Sequence, residues 1–97
     1  MDQIINASLQ VLPSSKEEHP YDIVDKAINI IKESGLKYMV CPFETVIEGG
    51  YDDVMAVIKK VHTHLLQQNI TSVFSYIKIQ IQKDNNVAIE DKMHKYL

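Results

Sequence analysis

Apolar and polar residues alternate over the first stretch of the chain, Ile4–Leu12, between Ile5 and Val11. A period of two is typical of a β-strand with one buried and one polar face, so a strand is predicted here. Pro13 and the polar run that follows are predicted to end it, because proline donates no hydrogen bond to a strand ladder. The positions assigned to the buried face are Ile5, Ala7, Leu9 and Val11.

Two later stretches carry apolar residues at helical spacing. The first helix is predicted over Pro20–Ser34, since proline is tolerated in a first turn and Gly35 is a common helix stop. The second is predicted over Tyr51–Gln68, where two aspartates place negative charge near the positive end of the helix dipole.

Between the helices, the short strands Leu36–Val40 and Phe43–Glu48 are separated by Cys41 and Pro42, which predicts a hairpin. A longer alternating stretch predicts a further strand over Ser72–Lys83.

The resulting order is strand, helix, strand, strand, helix, strand, with a terminal helix predicted over Ala88–Leu97. This is the order of a ferredoxin-like βαββαβ sandwich, an α+β fold whose four-stranded antiparallel sheet carries two helices on one face. A chain of 97 residues corresponds to one domain, 1–97.

The second face of such a sheet is expected to be open. The apolar residues of the first and last strands would face the helices. The residues that alternate with them would lie on the open face, with Ser8 and Gln10 beside Phe74 and Tyr76. Large aromatic side chains on an uncovered sheet usually mark a contact surface. Either a second subunit or a ligand is therefore expected to cover this face.

The charged residues narrow the range of partners. The chain has ten lysines, thirteen acidic residues and no arginine, for a net charge of −3. The absence of arginine argues against a function in which the protein recognises phosphate groups. No basic face for nucleic acid is present. A single cysteine excludes an internal disulfide, and no apolar run approaches the roughly 20 residues that span a bilayer. A reduced, cytoplasmic setting is the expectation, with no membrane partner.

Glu44 and Glu48 are four positions apart on the predicted third strand and would share a face if that strand were regular. Two carboxylates on the open face would suit a cation, to which a nearby aromatic ring adds attraction. In the alternative interpretation, both carboxylates are simply solvated at a strand end. A bulge at Pro42 would exchange the faces of Glu44 and Thr45, so both remain candidates.

Catalytic machinery is absent from the sequence. It contains no glycine-rich phosphate cradle, zinc-ligand cluster or nucleophile elbow. Cys41 is interpreted as a turn thiol, because no basic residue next to it would lower its pKa. His62 and His64 are two apart on a helix, cannot share a metal, and are expected at the surface. The chain is predicted not to be an enzyme and to hold no cofactor or metal.

The run from Ser34 to Val54 resembles the small thiamine-binding protein family. The resemblance rests on the Ser34-Gly35-Leu36 helix exit, Tyr38, Pro42, the TVIEG core at 45–49 and the acidic start of the next helix. The SLQVLP strand also fits. Family members usually have a small residue, commonly glycine, where this chain has Glu44. The family's ferredoxin-like domains pair their sheets and often form tetramers.

The resemblance implies non-catalytic binding of thiamine or its hydroxymethylpyrimidine moiety by a cytoplasmic homodimer or homotetramer that associates through its open sheet face. The alternative is an oligomerisation module, structural or regulatory, without a small-molecule ligand. In the first hypothesis the carboxylates meet the cation or amine, neutral side chains orient the pyrimidine, and an aromatic ring stacks on it. The residues expected to bind the ligand are Ser8, Gln10, Glu44, Thr45, Glu48, Phe74 and Tyr76.

Overall fold

The computed structural model describes all residues, Met1–Leu97, and has the predicted order of elements. A single sheet with strand order β2-β3-β1-β4 has only antiparallel neighbours, so the predicted fold class is confirmed. None of the helices is both long and apolar enough to cross a membrane. The elements are β1 (Ile4–Ser14), α1 (Pro20–Glu33), β2 (Lys37–Val40), β3 (Thr45–Gly50), α2 (Tyr51–Leu65), β4 (Ser72–Gln80), α3 (Ile89–Met93) and a 3₁₀ turn (His94–Tyr96).

The core lies between the sheet and the two long helices. The alternating apolar residues of β1 are all buried, as predicted, and they pack with buried residues of β3, α1 and α2 in one cluster of 13 side chains. On β3 the residues facing this core are Thr45 and Ile47, which lie opposite Leu9 and Ala7 of β1. Val46 and Glu48 therefore lie on the other face of the sheet.

β1 runs through Pro13 to Ser14, so the prediction that Pro13 ends the strand was wrong. The carbonyl of Ser14 accepts a hydrogen bond from Thr71 N on the β4 side, at 2.8 Å. Because successive residues of a strand point their main-chain groups to opposite sides, the proline nitrogen points towards the β3 side. Pairing with β3 has already ended there, at Leu9, so no hydrogen bond is lost.

The β2–β3 connection is a tight turn through Pro42 and Phe43, closed by Cys41 N donating to the carbonyl of Glu44 at 2.8 Å. β3 starts only after it, at Thr45, and not at Phe43 as predicted. Beyond Leu9, β1 has a neighbour on the β4 side alone. Because β3 starts only at Thr45, a notch is left between the last part of β1 and this turn.

The helix boundaries are close to those predicted. α1 begins at Pro20, with the side chain of His19 capping its first turn by accepting from Tyr21 N, and it ends before Gly35, whose φ is +79°. This φ lies in the left-handed region that glycine enters without strain, so the predicted helix stop is confirmed. α2 ends at Leu65, three residues before the predicted boundary.

The face of the sheet opposite the helices is partly covered, near the start of β1. Residues 86–97, called the strap below, cross it after β4 and include the short helix α3, which is only part of the predicted terminal helix. Val87 N donates to the carbonyl of Ile4, and Asn6 Nδ2 donates to the carbonyl of Val87, each at 2.9 Å. Val87 and Ile89 of the strap are themselves buried, so the expectation of an entirely open face was wrong.

The apolar set of β4 is less covered than predicted. Ile77 and Ile79 lie opposite Leu9 and Ala7 and so are on the helix side of the sheet. They are nevertheless 38% and 37% exposed, because β4 is an edge strand with a neighbour on one side only. The core is therefore centred on β1 and β3.

Candidate functional site

The structure distributes the predicted ligand residues over three places. Gln10, Glu44 and Thr45 line one cavity at the notch. Phe74 and Tyr76 lie on the uncovered part of the sheet face, and Ser8 lines a separate cleft on that face. Glu48 is engaged by the strap. The predicted residues therefore do not form one continuous wall.

The cavity at the notch is mainly apolar and is called the hairpin cavity below. It lies between the end of β1, helix α1 and the turn between β2 and β3, and it has a volume of about 430 Å³. Of its 15 lining residues 11 are hydrophobic. Small-molecule sites of proteins typically have such a lining, with a few polar groups that fix orientation. Apolar wall residues include Leu9, Val24, Ala27 and Ile31.

The polar groups of the hairpin cavity come from two strands. Thr45 is the first residue of β3 and is only 5% exposed, whereas the preceding Glu44 is half-buried at the end of the turn. The sequence left open which of these two faces a ligand, and both line this cavity. Gln10 contributes from β1, where it is paired with Tyr76 of β4. The residues that border this apolar space thus include an acid and a hydroxyl, with Gln10 at its edge on β1.

The backbone of β1 adds hydrogen-bonding capacity at the notch. Val11 lies two residues beyond Leu9, the last residue paired with β3, and it lines the hairpin cavity. By the alternation of the ladder its N–H and C=O point to the β3 side, where no strand residue is paired with it. An aminopyrimidine offers both a donor and an acceptor, which is the complement of such a strand edge.

Two aromatic side chains stand on the rim of the hairpin cavity. Tyr21 belongs to the first turn of α1 and Phe43 to the β2–β3 turn, and they are 75% and 78% exposed. Sequence reasoning missed both as site residues, because they occupy a helix start and a turn with no periodic pattern. The signal available was an aromatic residue placed directly before Glu44, since an exposed aromatic in a tight turn has no packing role.

Glu48 is placed differently from the prediction. It lies on the non-helical face of β3, as expected, but its Oε1 accepts a hydrogen bond from Ile89 N at 2.6 Å. This short bond holds the beginning of α3 against the sheet. The carboxylate thus has a structural partner within the chain.

The exposed part of the sheet face carries an apolar patch. Leu12 is paired with Phe74, and Gln10 next to it with Tyr76. Leu12, Phe74 and Tyr76 are 45%, 68% and 58% exposed. The hairpin cavity and this patch meet at Gln10 and Leu12, which border the cavity from the same strand.

The histidines and the cysteine form no further polar centre. His62 was predicted to lie at the surface, but it is half-buried between α2 and β4, and its Nε2 is 2.7 Å from Ser75 Oγ. No group of three or more His, Cys, Asp or Glu side chains comes together. Cys41 is a free thiol at the start of the turn, with Sγ 3.8 Å from the carbonyl oxygen of Met39.

The sequence is similar to that of a described protein family and of several named proteins. The family model described as thiamine-binding protein matches residues 7–97. A UPF0045 protein of Clostridium perfringens is 37% identical over 91 residues, which are 94% of this chain and 95% of that protein. A UPF0045 protein of Methanocaldococcus jannaschii is 31% identical over 87 residues, covering 90% of this chain and 86% of that protein.

Solved structures share the fold over nearly the whole length. A Bacillus cereus domain described as DUF77, of unknown function, superposes with a TM-score of 0.93 at 33% identity, covering 100% of this chain and 93% of that one. A Thermotoga maritima protein described as a candidate thiamine biosynthesis or salvage protein gives a TM-score of 0.86 at 28% identity, covering 97% and 99%.

Proposed function

Because the chain belongs to the thiamine-binding protein family, we propose that it binds thiamine or its hydroxymethylpyrimidine moiety in the hairpin cavity, without catalysing a reaction. The observation that carries the proposal is the placement of Gln10, Glu44 and Thr45 on one mainly apolar cavity. The single cysteine is compatible with a cytoplasmic protein, which would carry, scavenge or sense the vitamin.

Each part of thiamine has a counterpart in the hairpin cavity. The thiazolium ring carries a permanent positive charge, which the half-buried carboxylate of Glu44 and the rim rings of Tyr21 and Phe43 would attract. The aminopyrimidine would enter the apolar interior, where the hydroxyl of Thr45 and the unpaired main chain of Val11 offer hydrogen bonds. A cavity of about 430 Å³ lies within the usual range for small-molecule sites.

Titration calorimetry with thiamine and with hydroxymethylpyrimidine tests the assignment. Glu44→Gln removes the charge and keeps the shape of the side chain, so it should weaken thiamine binding by about 1 kcal/mol, roughly fivefold in Kd. The pyrimidine alone has no fixed charge, and its affinity should stay within about twofold. Glu48→Gln is the matched control, because the same chemical change is made outside the hairpin cavity.

The outcomes separate the possible sites. A loss of thiamine binding in Glu48→Gln but not in Glu44→Gln would move the site to the sheet face that the sequence first suggested. Equal losses for thiamine and for the pyrimidine in Glu44→Gln would show that the carboxylate does not act on the cation. No saturable heat from the folded wild-type protein would refute thiamine binding itself.

Self-association is a second candidate role, favoured by the patch of Leu12, Phe74 and Tyr76. Its members are exposed together on one face, and patches of this kind mark protein contact sites. A homodimer or homotetramer formed through this face would cover them. In an oligomerisation module without ligand, the assembly would form normally and thiamine would produce no heat.

A further inference from the structure

A second concave site lies on the non-helical face of the sheet, beside the strap, and is called the lysine cleft below. Its volume is about 290 Å³, and it shares no lining residue with the hairpin cavity. We propose that the lysine cleft binds a phosphate group that retains one O–H, either inorganic hydrogen phosphate or a phosphate monoester. Its side chains from this face are Asn6, Ser8, Val46, Lys78, Gln80 and Lys92.

The charge of the lysine cleft is the first argument. Lys78 comes from β4 and Lys92 from α3, and no carboxylate lines the space between them. The single ion pair of the chain is between Lys26 and Glu18, so neither cleft lysine has an acidic partner. In a chain of net charge −3, two uncompensated ammonium groups at one concavity favour an anionic occupant.

The nearest acid does not neutralise these lysines. Glu48 is the β3 partner of Asn6 in the sheet, but it lies outside the cleft lining. Its Oε1 is already hydrogen-bonded to Ile89 N at 2.6 Å. Lys92 Nζ instead donates to the neutral Gln80 Oε1 at 2.9 Å, a contact that it can exchange for an anionic oxygen.

An unsatisfied buried acceptor is the second, independent argument. Asn6 is 3% exposed, and its Nδ2 donates to the carbonyl of Val87, yet its Oδ1 has no partner. It is the only buried side-chain polar atom in the chain without one, and such a group costs about 1 to 3 kcal/mol. An acceptor requires a donor, which a fully ionised anion such as sulfate lacks and a hydrogen phosphate carries.

The two arguments select one chemistry. The lysines, with the Ser8 hydroxyl, provide donors to phosphate oxygens, and Asn6 Oδ1 provides an acceptor for the remaining P–O–H. Asn6 Oδ1 is closed to solvent, so the proposed contact with the phosphate hydroxyl requires Lys92 to leave Gln80 and the strap to shift. Arginine, whose absence argued against phosphate-centred work, is not required, since lysine binds phosphate as a point charge.

Calorimetric titration with inorganic phosphate at constant ionic strength tests the proposal on the full chain. Lys78→Gln and Lys92→Gln should each weaken phosphate binding about tenfold, since each removes one charge-assisted contact. Lys37→Gln is the matched control, because Lys37 is also exposed on a strand of this sheet but lies outside the cleft. It should change the affinity less than twofold, and thermal unfolding should show all three variants folded.

The ligand series tests the role of Asn6 and distinguishes the sources of phosphate. At about pH 8 hydrogen phosphate keeps its O–H, whereas a monoester, with a second pKa of about 6, does not. Sulfate and phenyl phosphate should therefore bind about tenfold more weakly than inorganic phosphate at this pH. If a monoester is the physiological occupant, the affinity for phenyl phosphate should rise about tenfold on acidification to about pH 5.5, because its O–H is then restored.

Three results would overturn the proposal: no saturable phosphate binding by the wild type, an equal loss in the Lys37 control, or sulfate binding as tightly as phosphate. The test is independent of the thiamine assignment. Glu44→Gln should leave phosphate binding unchanged, because Glu44 lines only the hairpin cavity.

Discussion

The hydrogen bond between Glu48 and the strap gives the sharpest test of the structure, because the sequence assigned this carboxylate to a ligand. Replacing Glu48 with alanine removes the acceptor from Ile89 N, whose residue is 4% exposed. Water cannot easily replace the lost partner at a buried position. Glu48→Gln keeps a neutral acceptor of the same shape and removes only the charge.

The magnitudes follow from the type of bond. A buried N–H left without a partner costs about 1 to 3 kcal/mol, so Glu48→Ala should lower the free energy of unfolding by about 2 kcal/mol. A charge-assisted bond is about twice as strong as a neutral one, so Glu48→Gln should cost about 1 kcal/mol. The amide of Ile89 should then exchange its hydrogen roughly thirtyfold faster in the alanine variant and about fivefold faster in the glutamine variant.

Urea unfolding measures the free energies, and hydrogen exchange followed by NMR measures the protection of the Ile89 amide. Glu44→Ala is the matched control, since Glu44 makes no side-chain hydrogen bond to the strap, and it should stay within about 0.5 kcal/mol of wild type. If Glu48→Ala were as stable as this control, Glu48 would not hold the strap. Its carboxylate would then again be free for the ligand role that the sequence suggested.

Further predictions concern the helix stop, the core and the exposed patch. Gly35→Ala should cost about 1 kcal/mol in urea unfolding, because φ is +79° and no neighbouring atom would contact the new Cβ; an unchanged stability would contradict the left-handed conformation. Ile47→Ala should cost about 3 kcal/mol, because Ile47 is 0% exposed at the centre of the core, and a loss below about 1 kcal/mol would place it elsewhere. Phe74→Ser combined with Tyr76→Ser should shift any oligomer towards monomer in sedimentation velocity, and an unchanged distribution would exclude the patch as the contact.

The fold could be predicted because local signals agreed with the global arrangement. The alternation of β1, the Pro20 and Gly35 helix boundaries and the acidic start of α2 each specify one element. Where the prediction failed, a non-local fact decided the outcome. Pro13 is tolerated within β1 only because β3 ends opposite Leu9, and no local pattern reports where a neighbouring strand stops.

The glycines show the same limit. Gly49 and Gly50 lie where β3 meets α2, but Gly35 is the only residue of the chain with a positive φ. Gly49 instead allows close packing, since a Cβ there would lie 3.3 Å from both terminal methyl groups of Leu36. The sequence shows that a small residue is present and does not show what approaches it.

The candidate site could be predicted only in part. Residue chemistry indicated Gln10, Glu44 and Thr45, and the structure brings these together. It separates Glu48, because the strap reaches back to β3 with a hydrogen bond between residues 41 positions apart. Periodicity places a side chain on a face of its own strand but does not reveal which distant segment covers that face.

The strap also has a consequence for how the chain reaches this structure. Its bonds to Ile4 and Asn6 of β1 join residues 82 and 81 positions apart. During synthesis the central strand β1 leaves the ribosome before its neighbour β4 and the strap do. Contacts of such long range are closed late and slowly. The apolar residues of β1 therefore stay exposed in the nascent chain until these partners are synthesised. Chaperones that bind exposed apolar segments could bind β1 during that time.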